Sequence, residues 1–123
     1  MEKFYLNFYK DIVKAKSVRD NSLKKFLFST MSNTILVFYL ASKHKATLEE
    51  LCYNIPPRVI SRSTVQNILK EGTKILFFEK EINPNDKRAK YYKLTQQGND
   101  ILNEWVLNQK NNFDEVLNKL KVA

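Results

Sequence analysis

The chain has 123 residues, of which 43% are hydrophobic and 28% are charged. This balance is typical of one globular domain and excludes an intrinsically disordered chain, which has too few apolar residues to form a core. The formal net charge is +8, from 21 basic and 13 acidic residues. Such an excess favours a polyanionic partner, most often nucleic acid and sometimes an anionic membrane, although lysine is also a general solubility residue.

The cysteine content and the length of the apolar runs indicate in which cellular compartment the protein is expected. A single cysteine, Cys52, excludes an intramolecular disulfide and fits a reducing compartment. The most apolar run, Ile35 to Ala41, is much shorter than the roughly 20 residues that a membrane span needs. The first ten residues mix charges with aromatic side chains, unlike a signal peptide. We therefore expect a cytoplasmic protein without a membrane partner.

The N-terminal part of the chain predicts two helices. Aromatic and apolar residues recur at helical spacing from about Lys3 to Lys16, with charged and polar residues on the other face. A second helix is predicted to begin near Ser17 or Asp20 and to continue through Met31. The large aromatic residues of the first helix need a surface to pack against, because the helix cannot bury them alone.

A central helix and a short capped helix follow. From Ser32 to Lys43 the sequence is apolar nearly all round, which indicates a helix inside a core, although a buried strand is the competing interpretation. The segment from Ala46 to Ile55 predicts a short helix, capped by Thr47 with Glu50 completing a capping box. Two consecutive prolines at 56–57 end this helix.

The next predicted helix has a polar outer face. Ser61 can cap it, and Val65, Ile68 and Leu69 fall on its apolar side. The opposite face carries two lysines and two amides and no large apolar residue. Its members are Ser63, Gln66, Asn67, Lys70 and Lys74.

The last third of the chain predicts a hairpin and a long helix. Strands are predicted at Phe77 to Ile82 and at Lys90 to Leu94. The loop between them, residues 83–89, combines turn-forming residues with charges, as a hairpin tip does. Thr95 can cap the final helix, which the asparagine-rich segment 108–112 is predicted to bend or break.

The order of these elements carries more information than any one of them. A long helix, a short capped helix, a turn, a polar-faced helix and a basic-tipped hairpin are typical of the winged helix-turn-helix. In that plan the polar-faced helix enters the DNA major groove, and the hairpin, or wing, meets the backbone or the minor groove. We predict a mainly α fold with a small antiparallel wing sheet of two or three strands. Three regions are predicted: an N-terminal helical dimerisation region at 1–31, the winged helix-turn-helix DNA-binding domain at 32–98 and a C-terminal dimerisation helix at 99–123.

Three segments resemble the multiple-antibiotic-resistance regulator (MarR) family. Residues 61–65 (Ser-Arg-Ser-Thr-Val) resemble the start of its recognition helix, and residues 85–89 (Asn-Asp-Lys-Arg-Ala) resemble its Asp-x-Arg wing. Residues 92–98 (Tyr-Lys-Leu-Thr-Gln-Gln-Gly) resemble the Leu-Thr-x-x-Gly start of its next helix. The chain departs from the pattern before the first wing strand. There Gly72 stands at the family's leucine position and Leu76 at its glycine position.

The resemblance implies roles for residues of the recognition helix, about 61–74, and of the wing. Arg88 would enter the minor groove, and Asp86 would hold that arginine by a charge-assisted hydrogen bond. The residues that would face the bases of the major groove are Ser63, Gln66, Asn67 and Lys70. The residues that would contact the phosphate backbone are Ser61, Thr64, Lys74, Lys87 and Lys90. The amphipathic terminal helices would pair two copies as a homodimer.

The function that the resemblance implies is sequence-dependent binding to double-stranded DNA by a nucleoid-associated transcriptional regulator. Two alternatives stay open: a winged-helix module that uses its wing for protein contacts, and a non-specific architectural DNA-binding protein. The sequence contains no nucleophile elbow, phosphate loop or metal-ligand spacing, so we expect no enzyme, cofactor or metal site. It identifies no operator, regulated gene or small-molecule effector.

Four residues have structural interpretations that compete with functional ones. Arg62 lies near the apolar side of its helix, where it could form a salt bridge instead of contacting DNA. Cys52 is better explained as a small buried hydrophobe than as a redox sensor. Trp105 is better explained by core or dimer packing than by a ligand pocket. His44, the only histidine, is expected on the surface.

Overall fold

The computed structural model describes residues 1–17 and 22–122. Its elements are α1 (Glu2–Ser17), α2 (Ser22–Phe26), α3 (Met31–Lys43), β1 (Ala46–Thr47), α4 (Leu48–Asn54), α5 (Arg62–Lys74), β2 (Phe78–Ile82), β3 (Lys90–Leu94) and α6 (Gln96–Val122). The predicted fold class, mainly helical with a small antiparallel sheet, is confirmed. No helix within the two described segments combines the length and the apolar character that crossing a membrane requires.

The three strands form one antiparallel sheet in the order β1-β3-β2. In the hairpin, Phe78 lies opposite Leu94 at the base and Ile82 lies opposite Lys90 at the tip. On the other edge of β3, Ala46 of β1 pairs with Tyr92. Of the two sheet sizes that the sequence allows, two or three strands, the structure has the three-stranded one.

The hydrophobic core lies between helices α3, α4 and α5 and the sheet. Fully buried side chains come from each of these elements, namely Leu36, Val37, Leu40, Leu51, Val65, Leu69, Phe77 and Phe78. Phe26 joins Phe78 of β2 and the preceding residue Phe77 in a cluster whose ring centroids are 5.0 to 5.5 Å apart. Because α3 supplies three of the buried residues, it is the central helix that the sequence predicts, and the strand interpretation of 32–43 is wrong.

Hydroxyl caps begin three of the helices as predicted. The side chains of Thr47, Ser61 and Thr95 each accept a hydrogen bond from the backbone N–H three residues further on, at 3.0 to 3.3 Å. At α4 the Glu50 carboxylate accepts from the Thr47 hydroxyl, at 3.2 Å, and not from the Thr47 backbone. The capping box is therefore only half formed.

The second predicted helix is shorter than its pattern suggests. Of its two predicted starts, Ser17 is the last residue of α1 and Asp20 lies outside the described residues. Its predicted continuation through Met31 is wrong, because Met31 is the first residue of α3. The cause is Thr30, whose hydroxyl accepts from the backbone N–H of Asn33 at 3.0 Å and begins a new helix there.

The structure also differs from the prediction at residues 46–47 and 108–112. Residues 46–47, predicted as helix, form β1 because their backbone pairs with β3. Helix α6 continues without a break through residues 108–112. Within that segment Asn112 is buried, and its amide donates to the carbonyl of Phe4 at 3.2 Å and accepts from the amide of Asn7 at 3.1 Å. The asparagine therefore joins α6 to α1, and the predicted break is wrong.

Gly72 and Leu76 determine how the chain passes from α5 to β2. Gly72 is buried inside α5, where an added Cβ would lie 2.3 Å from Cδ2 of Phe78. Leu76 follows with a φ of 67°, in the left-handed region that favours glycine. The chain thus uses its glycine for close packing of helix against sheet, and a leucine takes the strained position where the MarR pattern has glycine.

Leu76→Gly is expected to stabilise the fold by about 0.5 to 1 kcal/mol. The left-handed conformation costs a non-glycine residue about 1 to 2 kcal/mol, and the greater chain entropy of glycine offsets part of the gain. The Leu76 side chain is 59% exposed, so little packing is lost. Urea unfolding measures the difference. Leu76→Ala is the control, because alanine keeps the backbone penalty, and an equal gain from both variants would contradict this explanation.

Candidate nucleic-acid interface

Helix α5 presents its polar face outward because its other face is part of the core. Val65, Ile68 and Leu69 are each at most 5% exposed. The opposite side is exposed. It carries the four residues predicted to face bases and one residue, Lys74, predicted to contact the DNA phosphate backbone. They are Ser63, Gln66, Asn67, Lys70 and Lys74. Ser61 and Thr64 lie at the start of the same helix, with their hydroxyls 2.9 Å apart.

Arg62 links α5 to α4 through a salt bridge. Both terminal nitrogens of its guanidinium donate to the carboxylate of Glu49, with Nη1 3.1 Å from Oε2. These hydrogen bonds, with the positive charge, hold the pKa of Glu49 below its ordinary value. The contribution of the pair is therefore present above the ordinary carboxyl pKa and is lost as the pH falls through the lowered value. The structure supports the salt-bridge interpretation of Arg62.

Two consecutive turns order the wing. The side chains of Asn83 and Asp86 each accept a hydrogen bond from the backbone N–H two residues further on, both at 3.0 Å. Backbone hydrogen bonds from Asp86 to Asn83 and from Ala89 to Asp86 close the two turns. Asn83 is buried at the base of the loop, and residues 84–88 are exposed. The loop is therefore anchored while its charged tip faces solvent.

Asp86 contacts the backbone of Arg88 and not its guanidinium. The carboxylate is already used to close the turn, because a two-residue spacing places it on the Arg88 N–H. Across the described residues, no carboxylate lies within salt-bridge distance of the Arg88 guanidinium. Arg88, Lys87 and Lys90 are all exposed. The structure thus differs from the side-chain contact implied by the resemblance, and it leaves the arginine head group accessible.

A groove lies between α5 and the sheet, beside the wing. Its helix side is lined by Gln66, Lys70 and Lys74, and its sheet side by Lys80 and Tyr92. Sequence reasoning missed Lys80 and Tyr92. The available signal was the two-residue period of a strand, which places Lys80 on the same face as the core residue Phe78.

The carboxylates of β2 lie on the other face of the strand. Glu79 pairs with Lys93 at 3.6 Å, and Glu81 pairs with Lys45 at 3.4 Å. Because side chains alternate along a strand, both glutamates point away from the face that carries Lys80. No acidic residue is among the described residues that line the groove.

Helices α1 and α6 pack against each other in antiparallel fashion. Lys3 contacts Glu115 at 2.6 Å, and the amide of Gln109 donates to Asp11 at 2.7 Å. Later residues of α1 therefore contact earlier residues of α6, as in an antiparallel pair. The ring of Phe4 lies 5.9 Å from that of Phe113. This packing covers only part of the apolar surface, since no residue of α1 is fully buried.

An apolar stripe remains exposed on each of these two helices. On α1 it repeats every four residues, and on α6 it recurs at helical spacing. We call these residues the terminal stripes: Tyr5, Tyr9 and Val13 on α1, and Val106, Phe113, Leu117 and Leu120 on α6. Tyr9 is 62% exposed and Leu120 is 63% exposed, so a single copy of the chain leaves much of this surface in water.

Trp105, Cys52 and His44 are the remaining residues for which the sequence left two interpretations. Trp105 packs against the rings of Phe8, Phe28 and Phe38, with centroids 5.1 to 6.1 Å apart, and it also lines a cleft between α1, α2 and α6. Cys52 is half-buried against the core, and His44 is exposed at the end of α3. In residues 1–17 and 22–122, no three His, Cys, Asp or Glu side chains lie close enough together to hold a metal ion.

The helix-turn-helix, the three-stranded sheet and the hairpin tip define a winged-helix protein. No protein-family model matches the chain, and no curated protein matches it in sequence.

Solved structures of winged-helix proteins do match the chain. YusO from Bacillus subtilis is 14% identical, with a TM-score of 0.63 over 95% of this chain and 72% of that one. A mutant of MarR from E. coli is 19% identical, with a TM-score of 0.56 over 94% and 79% of the two chains. A mutant MarR bound to operator DNA is 22% identical, with a TM-score of 0.52 over 82% and 72%. The chain therefore has the MarR-like winged-helix fold.

Proposed function

We propose that this protein is a transcriptional regulator that binds double-stranded DNA sequence-dependently, as a homodimer, at the nucleoid in the cytoplasm. The observation that carries the proposal is the exposed polar and basic face of α5 beside an ordered, basic wing. A fold like that of MarR, which has been crystallised with operator DNA, supports the same conclusion. The net charge of +8 suits a phosphate-rich partner.

In this proposal α5 reads bases, and the two ends of α5 together with the wing contact phosphates. Amide side chains such as Gln66 and Asn67 can form paired hydrogen bonds with adenine, and Lys70 can donate to guanine. Ser63 completes the base-facing set. The proposed phosphate contacts are Ser61, Thr64, Lys74, Lys87 and Lys90. These contacts would position the protein without reading sequence directly.

The terminal stripes support the proposed homodimer. A second copy of the chain would bury apolar side chains that α1 and α6 leave exposed, and a two-fold axis would let each copy use the same surface. Two recognition helices would then reach successive major grooves, about 34 Å apart. Residues 1–31 and 99–123 are the proposed dimerisation regions, and residues 32–98 are the proposed DNA-binding domain.

Selection of bound sequences from a random duplex pool tests the proposed function. We expect an enriched, roughly palindromic motif, because a symmetric dimer reads two half-sites. A gel shift with random duplex competitor then separates the alternatives. A sequence-dependent regulator resists the competitor, and an architectural DNA-binding protein is fully displaced. A protein-interaction module binds no duplex, which would reject the proposal.

Arg88→Ala is expected to lower the affinity for the selected duplex about tenfold and to relax its A·T preference beside each half-site. The physical reason is the narrow minor groove of A·T-rich DNA, whose strong negative potential attracts an inserted arginine. Fluorescence anisotropy on duplexes with A·T-rich and G·C-rich flanks measures both effects. Arg88→Lys is the matched control, because it keeps the charge and should preserve most of the affinity for random duplex. If Arg88→Ala bound both flanks like the parent protein, the minor-groove role would be wrong.

A further inference from the structure

We propose that the groove between α5 and the sheet holds the DNA strand that separates the major groove from the minor groove. In this arrangement Lys80 is a further phosphate-binding residue, and Tyr92 positions it. The inference rests on the proposed function, and it assigns a role to a part of the surface that lies between the recognition helix and the wing.

The geometry of duplex DNA points to this groove. A helix in the major groove and a wing in the adjacent minor groove of one duplex stand on either side of one sugar-phosphate backbone. That backbone must cross the protein between α5 and the hairpin. The groove occupies this position, since its walls are Lys70 and Lys74 on α5 and Lys80 and Tyr92 on the sheet.

The charges around the groove suit a phosphate. Lysines reach it from both sides, and the lining contains no carboxylate among the described residues. The two glutamates that flank Lys80 in sequence, Glu79 and Glu81, lie on the opposite face of β2, and each is paired with a lysine there. The strand therefore presents only positive charge to the groove.

Tyr92 restricts where the Lys80 ammonium can lie. The two residues are direct cross-strand partners in the β2–β3 ladder, and Lys80 Nζ is 5.9 Å from the centroid of the Tyr92 ring. A cation close to an aromatic face is attracted by the ring, and the rigid ring limits the positions open to a flexible lysine. Tyr92 is half-buried and packs against the core, so its ring offers the lysine a contact at the wall of the groove.

A salt series of binding measurements tests the inference. The probe is a random-sequence duplex of about 25 base pairs, long enough for two half-sites one helical turn apart. We expect Lys80→Gln to lower affinity about tenfold and to make the slope of log affinity against log salt shallower by about 0.9 per protomer. Because a phosphate contact carries no sequence information, the loss should be equal on the random duplex and on a selected duplex.

Lys43→Gln is the matched control. Lys43 Nζ lies 5.8 Å from the Tyr39 ring, so this variant loses the same charge and the same kind of contact outside the groove. We expect it to retain the parent salt slope. Tyr92→Leu should reduce affinity, because the ring that positions Lys80 is lost. Tyr92→Phe keeps the ring and should bind with the parent affinity.

Each failure has its own signature. If the parent protein binds duplex but Lys80→Gln behaves like Lys43→Gln, the inference is wrong and the proposed function stands. If Lys80→Gln loses affinity only for the selected duplex, Lys80 reads a base, which also overturns the inference. If the parent protein binds no duplex at all, the proposed function fails and the inference fails with it.

Discussion

Gly72→Ala is expected to destabilise the fold by about 2 kcal/mol, even though alanine is the better helix former by about 1 kcal/mol. A Cβ at this position would lie 2.3 and 2.6 Å from two ring carbons of Phe78 and 2.9 Å from Cζ of Phe26. These rings cannot move aside easily, because they pack on each other and on Phe77 in the centre of the core. The clash therefore has to be relieved by moving α5 away from the sheet.

Urea unfolding of the two variants Gly72→Ala and Glu71→Ala measures this effect. Glu71 is the preceding residue of the same helix and is exposed, so its replacement changes helix propensity without touching the core. We expect the control to unfold at or slightly above the parent urea concentration and the Gly72 variant to unfold at a lower one. A Gly72→Ala protein as stable as the parent would show that the helix and sheet are not packed so closely.

The double substitution Leu117→Glu with Leu120→Glu is expected to convert the proposed dimer to a monomer at micromolar concentration. Both residues belong to the terminal stripes, and Leu120 is 63% exposed in a single copy of the chain. Charged side chains in an apolar interface would be buried without partners, which strongly disfavours association. Since two linked half-site contacts strengthen binding by factors of about 100 to 10,000, we expect operator affinity to fall at least about 100-fold.

Size-exclusion chromatography with light scattering measures the mass, and fluorescence anisotropy measures the affinity. Asn118→Glu is the control, because Asn118 is an exposed polar residue on the same helical turn but outside the stripe. It should remain dimeric and bind DNA at close to the parent affinity. A parent protein that is monomeric, or a double variant that stays dimeric, would contradict the assignment of this surface.

Much of the local structure could be predicted from the sequence. The hydroxyl caps at Thr47, Ser61 and Thr95 depend on residues three positions apart, and each is present as expected. The two faces of α5 and the limits of β3 follow from residue periodicity in the same way. These features could be read because each depends on residues within one or two helical turns of each other.

Contacts between distant segments decided the rest. The strand β1 exists because residues 46–47 lie beside β3, and α6 is continuous where Asn112 bonds to Phe4, more than one hundred positions away. The resemblance places Leu76 at a glycine position, but only the packed structure shows that Leu76 adopts the left-handed conformation and that Gly72 packs against Phe78.

The candidate interface shows most clearly which features follow from the sequence and which follow from the tertiary structure. The sequence by itself determined which residues α5 turns outward and which charges the hairpin tip carries, because helical and strand periodicity assign side chains to faces. Only the tertiary structure decided that Lys80 and Tyr92 share a groove with Lys70 and Lys74. The physical reason is that helix and sheet are brought together by core packing around Phe78 and Gly72, and such packing joins faces whose residues are not neighbours in sequence.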